Sequence, residues 1–245
     1  MKKIYYRLLI AVLIMPLCAT AQKVRVAVAA NAQFVSEALA TEFKRTTGIT
    51  AEMIVGSSGK LTAQIEQGAP FDVFLSADTK YPQALYDKGL TTQKPKTYAL
   101  GVLVLWTIKD IRPSLPILAR SQVKKIAIAN PELAPYGQAA MECLKVNRIS
   151  GLLKDKLVIG ESIAQVNQYL LTGAVEAAFT ARSVVMDPEL KDKGNWTVID
   201  PRTYHPMRQG VVILKTAANA ESAQKFYDFL FSDAAKKIFE QYGYR

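Results

Sequence analysis

The strongest constraint on this chain is the order of its periodicities: short apolar, β-branched segments alternate with amphipathic helical ones along most of its length. Residues 23–30 (KVRVAVAA) alternate as a strand does, and Phe34, Val35, Ala38, Leu39 and Phe43 then recur at helical spacing up to Gly48. Strand patterns follow at 49–55 and 71–77, helix patterns at 61–67 and 81–88, and a longer strand at 98–106. A second series opens with strand 125–130 (KIAIAN). It continues with helix 137–146, strand 157–160, helix 163–171, and strands 175–180, 196–200 and 211–215. Helices at 220–231 and 233–242 end the chain. A strand, a helix and a further strand make a parallel pair joined by a right-handed crossover, so the expected class is α/β. Two series predict two lobes, each a mostly parallel sheet flanked by helices, with two crossing connections. The boundaries read as 22–101 with 208–245 for the first lobe and 102–207 for the second, the last helices returning to the first.

Residues 1–21 stand outside this pattern and read as an export signal. Lys2, Lys3 and Arg7 form a positive start, 8–17 is an apolar run, and Ala19-Thr20-Ala21 gives the small-x-small pattern of a cleavage site. The run is shorter than the roughly 20 residues that span a bilayer, so no retained anchor is expected and the mature chain should be periplasmic. Cys18 raises a lipid-anchored alternative, disfavoured because Leu17 stands where a small residue would precede a lipidated cysteine. Cleavage takes three of the 31 basic residues and none of the 21 acidic ones, turning a formal +10 into +7. It also leaves Cys143 as the one thiol, in an apolar helical pattern that predicts burial. With a single His, this inventory excludes a Cys₄ or Cys₂His₂ zinc site and a disulfide framework. The basic residues are dispersed, with no run longer than a pair such as Lys124-Lys125 or Lys236-Lys237 after cleavage, so the basic stripe of a nucleic-acid binder is absent.

In open α/β sheets, ligands bind beyond the carboxyl ends of the strands, where helices begin. Here those junctions are Ala30-Asn31-Ala32, Gly56-Ser57-Ser58-Gly59, the segment Pro131 to Gly137 containing Tyr136, Glu161-Ser162-Ile163, and Thr180. They offer amides, hydroxyls and helix-start N–H groups, and N–H groups at helix starts favour an anion. Lys60 and Arg182 are the nearest cations. Asn and Ser are preferred N-caps in any case, so the inference of a neutral, donor-rich cleft rests on such junctions falling in both lobes.

Enzyme readings fare less well. Ser57 and Lys60 form the S-x-x-K of serine acyl-enzymes, a remote alternative, but its companion motifs are present only as Ser232-Asp233-Ala234 and Lys215-Thr216-Ala217, each with the wrong last residue. A Ser-His-Asp hydrolase would need His205, which sits in a Tyr204-His205-Pro206 loop and reads as a surface residue. The segment from Gly56 to Lys60 is too short for a P-loop.

Several of these segments carry a resemblance. Ala29-Ala30-Asn31, Gly56-Ser57-Ser58-Gly59, Gln64 to Pro70, Phe71 to Asp78, Asn130-Pro131, Ala134-Pro135-Tyr136-Gly137 and Tyr242-Gly243-Tyr244 together resemble the periplasmic molybdate-binding proteins of ABC importers. The resemblance runs in order along the whole mature chain. It implies a two-lobed protein that closes on molybdate or tungstate and delivers it to a membrane permease. It also implies a monomer with no catalytic residue and no cofactor, molybdenum entering only as the oxyanion. Asn31 and Ser58 from the first lobe, with Tyr136 and the backbone N–H of Ile163 from the second, are the implied ligands, and Ala30 is a further backbone candidate. Many members have Ser in place of Asn31, and some have Tyr in place of Thr180. The Tyr136 hydroxyl is suited to replace the latter, which leaves the part of Thr180 open. Molybdate is fully deprotonated at neutral pH, so a set without carboxylates suits it and should reject hydrogen phosphate. Sulfate, with the same charge and shape, is the nearest rival ligand. Ferric iron is disfavoured by the neutral junctions and by the lack of a Tyr cluster.

Overall fold

In the computed structural model, which describes residues 22–245, strands and helices alternate much as the periodicities predict. The expected export signal, with Cys18, lies outside the described residues. The strands are β1 (Lys23–Ala29), β2 (Thr50–Gly56), β3 (Val73–Ser76), β4 (Lys96–Gly101), β5 (Leu103–Thr107), β6 (Ile126–Ala129), β7 (Leu157–Gly160), β8 (Ala177–Ala181), β9 (Asn195–Val198) and β10 (Met207–Ile213). The helices are α1 (Gln33–Thr47), α2 (Ser58–Glu66), α3 (Lys80–Asp87), α4 (Pro135–Val146), α5 (Ser150–Leu153), α6 (Ile163–Leu171), α7 (Arg182–Val185), α8 (Ala220–Phe229) and α9 (Asp233–Gln241).

They build two five-stranded sheets, ordered β2-β1-β3-β10-β4 and β7-β6-β8-β5-β9. The two orders have the same form, one per lobe, and each sheet holds a single antiparallel strand. These are β10, which runs against β3 and β4, and β5, which runs against β8 and β9. Both enter their sheet directly from the other one. No helix precedes either of them within its sheet, and a parallel neighbour requires a crossover of a dozen or more residues. The expected single strand at 98–106 is therefore two strands in different sheets, broken at Val102. A continuous apolar run carries no mark of the change of sheet, because the period of two persists through it. Helices α5 and α7, four residues each, have no counterpart in the sequence reading.

Alternation along the strands decides which helices cover which face. Val26, Val28, Val73 and Leu75 pack with Leu39, Phe43, Phe226 and Phe239, under α1 and the returning α8 and α9. Ala27, Phe74 and Val212 point the other way, onto Leu61, Ile65 and Leu85 of α2 and α3. Phe43 and Phe226 meet edge to face at 5.1 Å. Each such aromatic or aliphatic side chain contributes roughly 1.5–3 kcal/mol when fully buried. The second core gathers around Trp106, Ile128 and Phe179, and Ala29, Ala30 and Ala77 from the first sheet reach into it. The two lobes thus touch at the carboxyl ends of their strands. Cys143 is buried and unpaired in the second core, and burial raises its thiol pKa. Among the described residues no helix is long and apolar enough to cross a membrane.

Candidate functional site

Loops leaving the carboxyl ends of β1, β2, β3, β6 and β7 surround one small cavity between the lobes. The expected residues Ala30, Asn31, Ser58, Tyr136 and Ile163 all line it, together with Ser57, Ala77 and Ala134 among others. No Lys, Arg, His, Asp or Glu belongs to the lining. Among the described residues no group of three His, Cys, Asp or Glu is placed to hold a metal ion.

Three helices begin at this cavity, and local sequence fixes each start. Ser57 and Ser162 are extended N-caps whose hydroxyl oxygens accept from the N–H groups of Lys60 (3.4 Å) and Gln165 (3.5 Å), and Pro135 opens α4. The first N–H groups of a helix have no acceptor within it. In α2 the Gly59 N–H donates across the cleft to Leu133 O at 2.9 Å, which leaves the Ser58 N–H beside the cavity. In α4 Pro135 has no N–H, while Gly137 and Gln138 donate to Ala134 O, which leaves that of Tyr136. In α6 the corresponding group is the N–H of Ile163. The positive ends of three helix dipoles therefore meet at a space without an ionised side chain.

Side chains add to the donor set. The Ser58 hydroxyl oxygen accepts the Ala77 N–H at 3.0 Å, so its own proton is free to point elsewhere. The Tyr136 hydroxyl is buried and has no hydrogen-bond partner among the described residues. It rests against Gly101, where an added Cβ would stand 2.4 Å away. Burial holds its pKa well above 10, aided by the nearby Tyr244, Tyr98 and Tyr204, so it stays a donor.

Asn31 is held from behind. Its side-chain amide nitrogen donates to Gln209 Oε1 at 2.8 Å and to the Tyr244 hydroxyl at 3.1 Å, while its main-chain carbonyl accepts the Ser183 hydroxyl at 2.6 Å. Gln209 is itself anchored by donating from Nε2 to Ala77 O at 3.0 Å. Both amide hydrogens of Asn31 are engaged, so its side chain has no free hydrogen to offer an anion. Gln209 and Ser183 were missed by sequence reasoning, and no local signal marks either. Tyr244 appeared only within the terminal Tyr242-Gly243-Tyr244 segment.

Thr180 lies outside the cavity lining. It is fully buried in β8, and its hydroxyl donates to Asn167 Oδ1 at 2.6 Å. Thr180→Val leaves the Asn167 carbonyl buried without its partner, at a cost of about 1–3 kcal/mol. We expect a lowered thermal midpoint with ligand affinity within two-fold of the parent, measured by calorimetry. A tenfold loss of affinity with an unchanged midpoint would place Thr180 in the site after all.

The S-x-x-K arrangement does not assemble. Lys60 Nζ pairs with Glu161 across the cleft, and Ser57 serves as the α2 cap. His205 is a surface residue, 3.1 Å from Glu142.

Comparison with known proteins agrees with this fold. The profile of the bacterial extracellular solute-binding proteins matches residues 24–245. The molybdate-binding protein ModA of Azotobacter vinelandii is 38% identical over 92% of this chain and 91% of its own length. That of Rhodobacter capsulatus is 36% identical over 92% and 89%. The solved structure of the Azotobacter vinelandii periplasmic molybdate-binding protein superposes with a TM-score of 0.84 at 31% identity, covering 91% of this chain and 98% of that one. By profile, sequence and fold, this chain belongs to the bacterial extracellular solute-binding protein family, which it shares with these periplasmic molybdate-binding proteins.

Proposed function

We propose that the protein captures molybdate or tungstate between its lobes and hands the anion to an ABC importer permease, acting as an exported monomer without cofactor or catalytic step. The observation that carries this reading is the convergence of the α2, α4 and α6 starts and the Ser58 hydroxyl on a cavity that holds no ionised side chain. The ligands in this reading are the main-chain N–H groups of Ala30, Asn31, Ser58, Tyr136 and Ile163 and the hydroxyls of Ser58 and Tyr136. Residues 22–101 with 208–245 form one moving body and 102–207 the other, turning about the paired crossings at Val102 and between β9 and β10.

A tetrahedral dianion takes donors on every oxygen and has no proton to give. Hydrogen phosphate requires an acceptor for its proton, and the lining has no carboxylate to supply one. Hydrogen bonds to a charged group contribute roughly 1.5–3 kcal/mol each. Five or more, after the cost of closure, reach the −8 to −12 kcal/mol of micromolar to nanomolar binding. The test is calorimetric titration of the mature protein with molybdate, tungstate, sulfate and phosphate. The first two should bind far more tightly than sulfate, and phosphate not at all. Sulfate binding as tightly as molybdate would overturn the assignment. Because the lining holds no group that titrates near neutrality, and Tyr136 is shifted upward, molybdate affinity should be flat from about pH 6 to 9.

A further inference from the structure

Nine ion pairs join described side chains, and one alone, Lys60–Glu161, links the two lobes. Both partners stand at the cavity's rim. Lys60 is the third residue of α2, two positions after Ser58, and Glu161 directly precedes Ser162, the cap of α6. Each side chain is 51% exposed, and neither lines the interior. Two neutral bonds accompany it across the same gap: the Gly59 N–H to Leu133 O, and the Tyr81 hydroxyl to Glu132 O at 2.8 Å.

We propose that Lys60 is a gate residue with two effects: its ammonium latches the lobes through Glu161, and it neutralises a carboxylate that would otherwise repel an anion lodged at the start of α6. The proposal rests on the oxyanion reading above. When the lobes part, the pair separates and both charges return to water. The latch thus contributes only to the closed state and acts on the rate of release. An exposed ion pair shifts such an equilibrium by about two- to five-fold. The second effect is not symmetric between the partners. Removing Lys60 leaves the Glu161 carboxylate facing the captured dianion. Removing the Glu161 charge leaves an ammonium that attracts it.

The experiment measures release of molybdate by stopped flow, following intrinsic fluorescence, for the parent, Lys60→Met, Glu161→Gln and the double variant, at low and high sodium chloride. Both side chains are half exposed, so the variants should fold normally, and thermal midpoints verify this. Lys60→Met should release about five- to tenfold faster than the parent, the double variant about two- to fivefold faster, and Glu161→Gln no faster than the double. Salt gives a sign test, since it screens exposed charges. Added salt should speed release from the parent by weakening the latch, and slow it from Lys60→Met by weakening the repulsion. Little change is expected in the double variant. Lys60→Met with the parent's rate and the parent's salt slope would overturn the gate while leaving the binding site in place. A parent protein that binds no molybdate would remove the oxyanion reading and the gate together.

Discussion

Ser58→Ala is expected to weaken molybdate binding by about 10- to 100-fold, measured by calorimetry, with a smaller loss of stability. The hydroxyl has two roles that the substitution removes together. Its oxygen accepts the Ala77 N–H at 3.0 Å, which joins the end of β3 to the start of α2. Its proton is then the one hydrogen of that group left for a ligand. Loss of a bond to a charged partner costs about 1.5–3 kcal/mol, and a factor of ten is about 1.4 kcal/mol. The Ala77 N–H loses its acceptor at the same time, which lowers the thermal midpoint. Ser58→Thr retains the hydroxyl and separates the two effects if its extra methyl is accommodated. Affinity for molybdate unchanged in Ser58→Ala would show that the anion does not sit at the start of α2.

The elements that sequence placed best are those whose ends carry chemical punctuation. Strand 157–160 and helix 163–171 match the structure residue for residue, because Gly160 ends one and Ser162 caps the other. Helix α1 stops where Gly48 takes a left-handed φ of 74°, a conformation that glycine adopts without strain. The misplacements fall where a tertiary choice leaves no local trace. At 98–106 the hydrophobic pattern is continuous, yet the chain leaves one sheet and enters the other between Gly101 and Leu103. The strand expected at 211–215 begins at Met207. Its polar Gln209 is fully buried.

The site divides in the same way. Ser58, Tyr136 and Ile163 were legible because strand–helix junctions are local, and a helix start advertises its unpaired N–H groups in the residues around it. The support behind Asn31 was not. Gln209 and Tyr244 reach it from 178 and 213 residues away, and Ser183 comes from the other lobe. A polar residue inside a strand pattern and a tyrosine at the chain end have no spacing that reveals a common partner. The same network explains why Asn31 tolerates burial in an apolar setting: both side-chain amide hydrogens and the main-chain carbonyl find partners, which lowers the penalty of burying polar groups.

The other large effect is expected at Gly137, the third residue of α4. A Cβ placed there would stand 2.1 Å from Ala129 O, 2.7 Å from Ala129 C and 3.0 Å from Asn130 C. All three are backbone atoms at the end of β6, and β6 is hydrogen-bonded to β7 on one side and β8 on the other. The strand cannot retreat without breaking its sheet, so Gly137→Ala must displace the start of α4 by about an ångström to restore ordinary contact. Overpacking of this kind costs about 1–3 kcal/mol, occasionally more, and in a chain of this size each kcal/mol lowers the thermal midpoint by about 2–4 °C. The same shift carries Tyr136 and its N–H away from the cavity, where donors must hold their places to within about 0.5 Å. We therefore expect molybdate affinity to fall at least tenfold along with a midpoint drop of about 5–10 °C. Gly151→Ala is the control in the same lobe: its added Cβ meets no atom within 4 Å, and it lies in α5, where alanine is favourable. It should leave affinity unchanged and should not lower the midpoint. If Gly137→Ala bound molybdate like the parent, the placement of α4 against β6 would not be what sets the second lobe's donors.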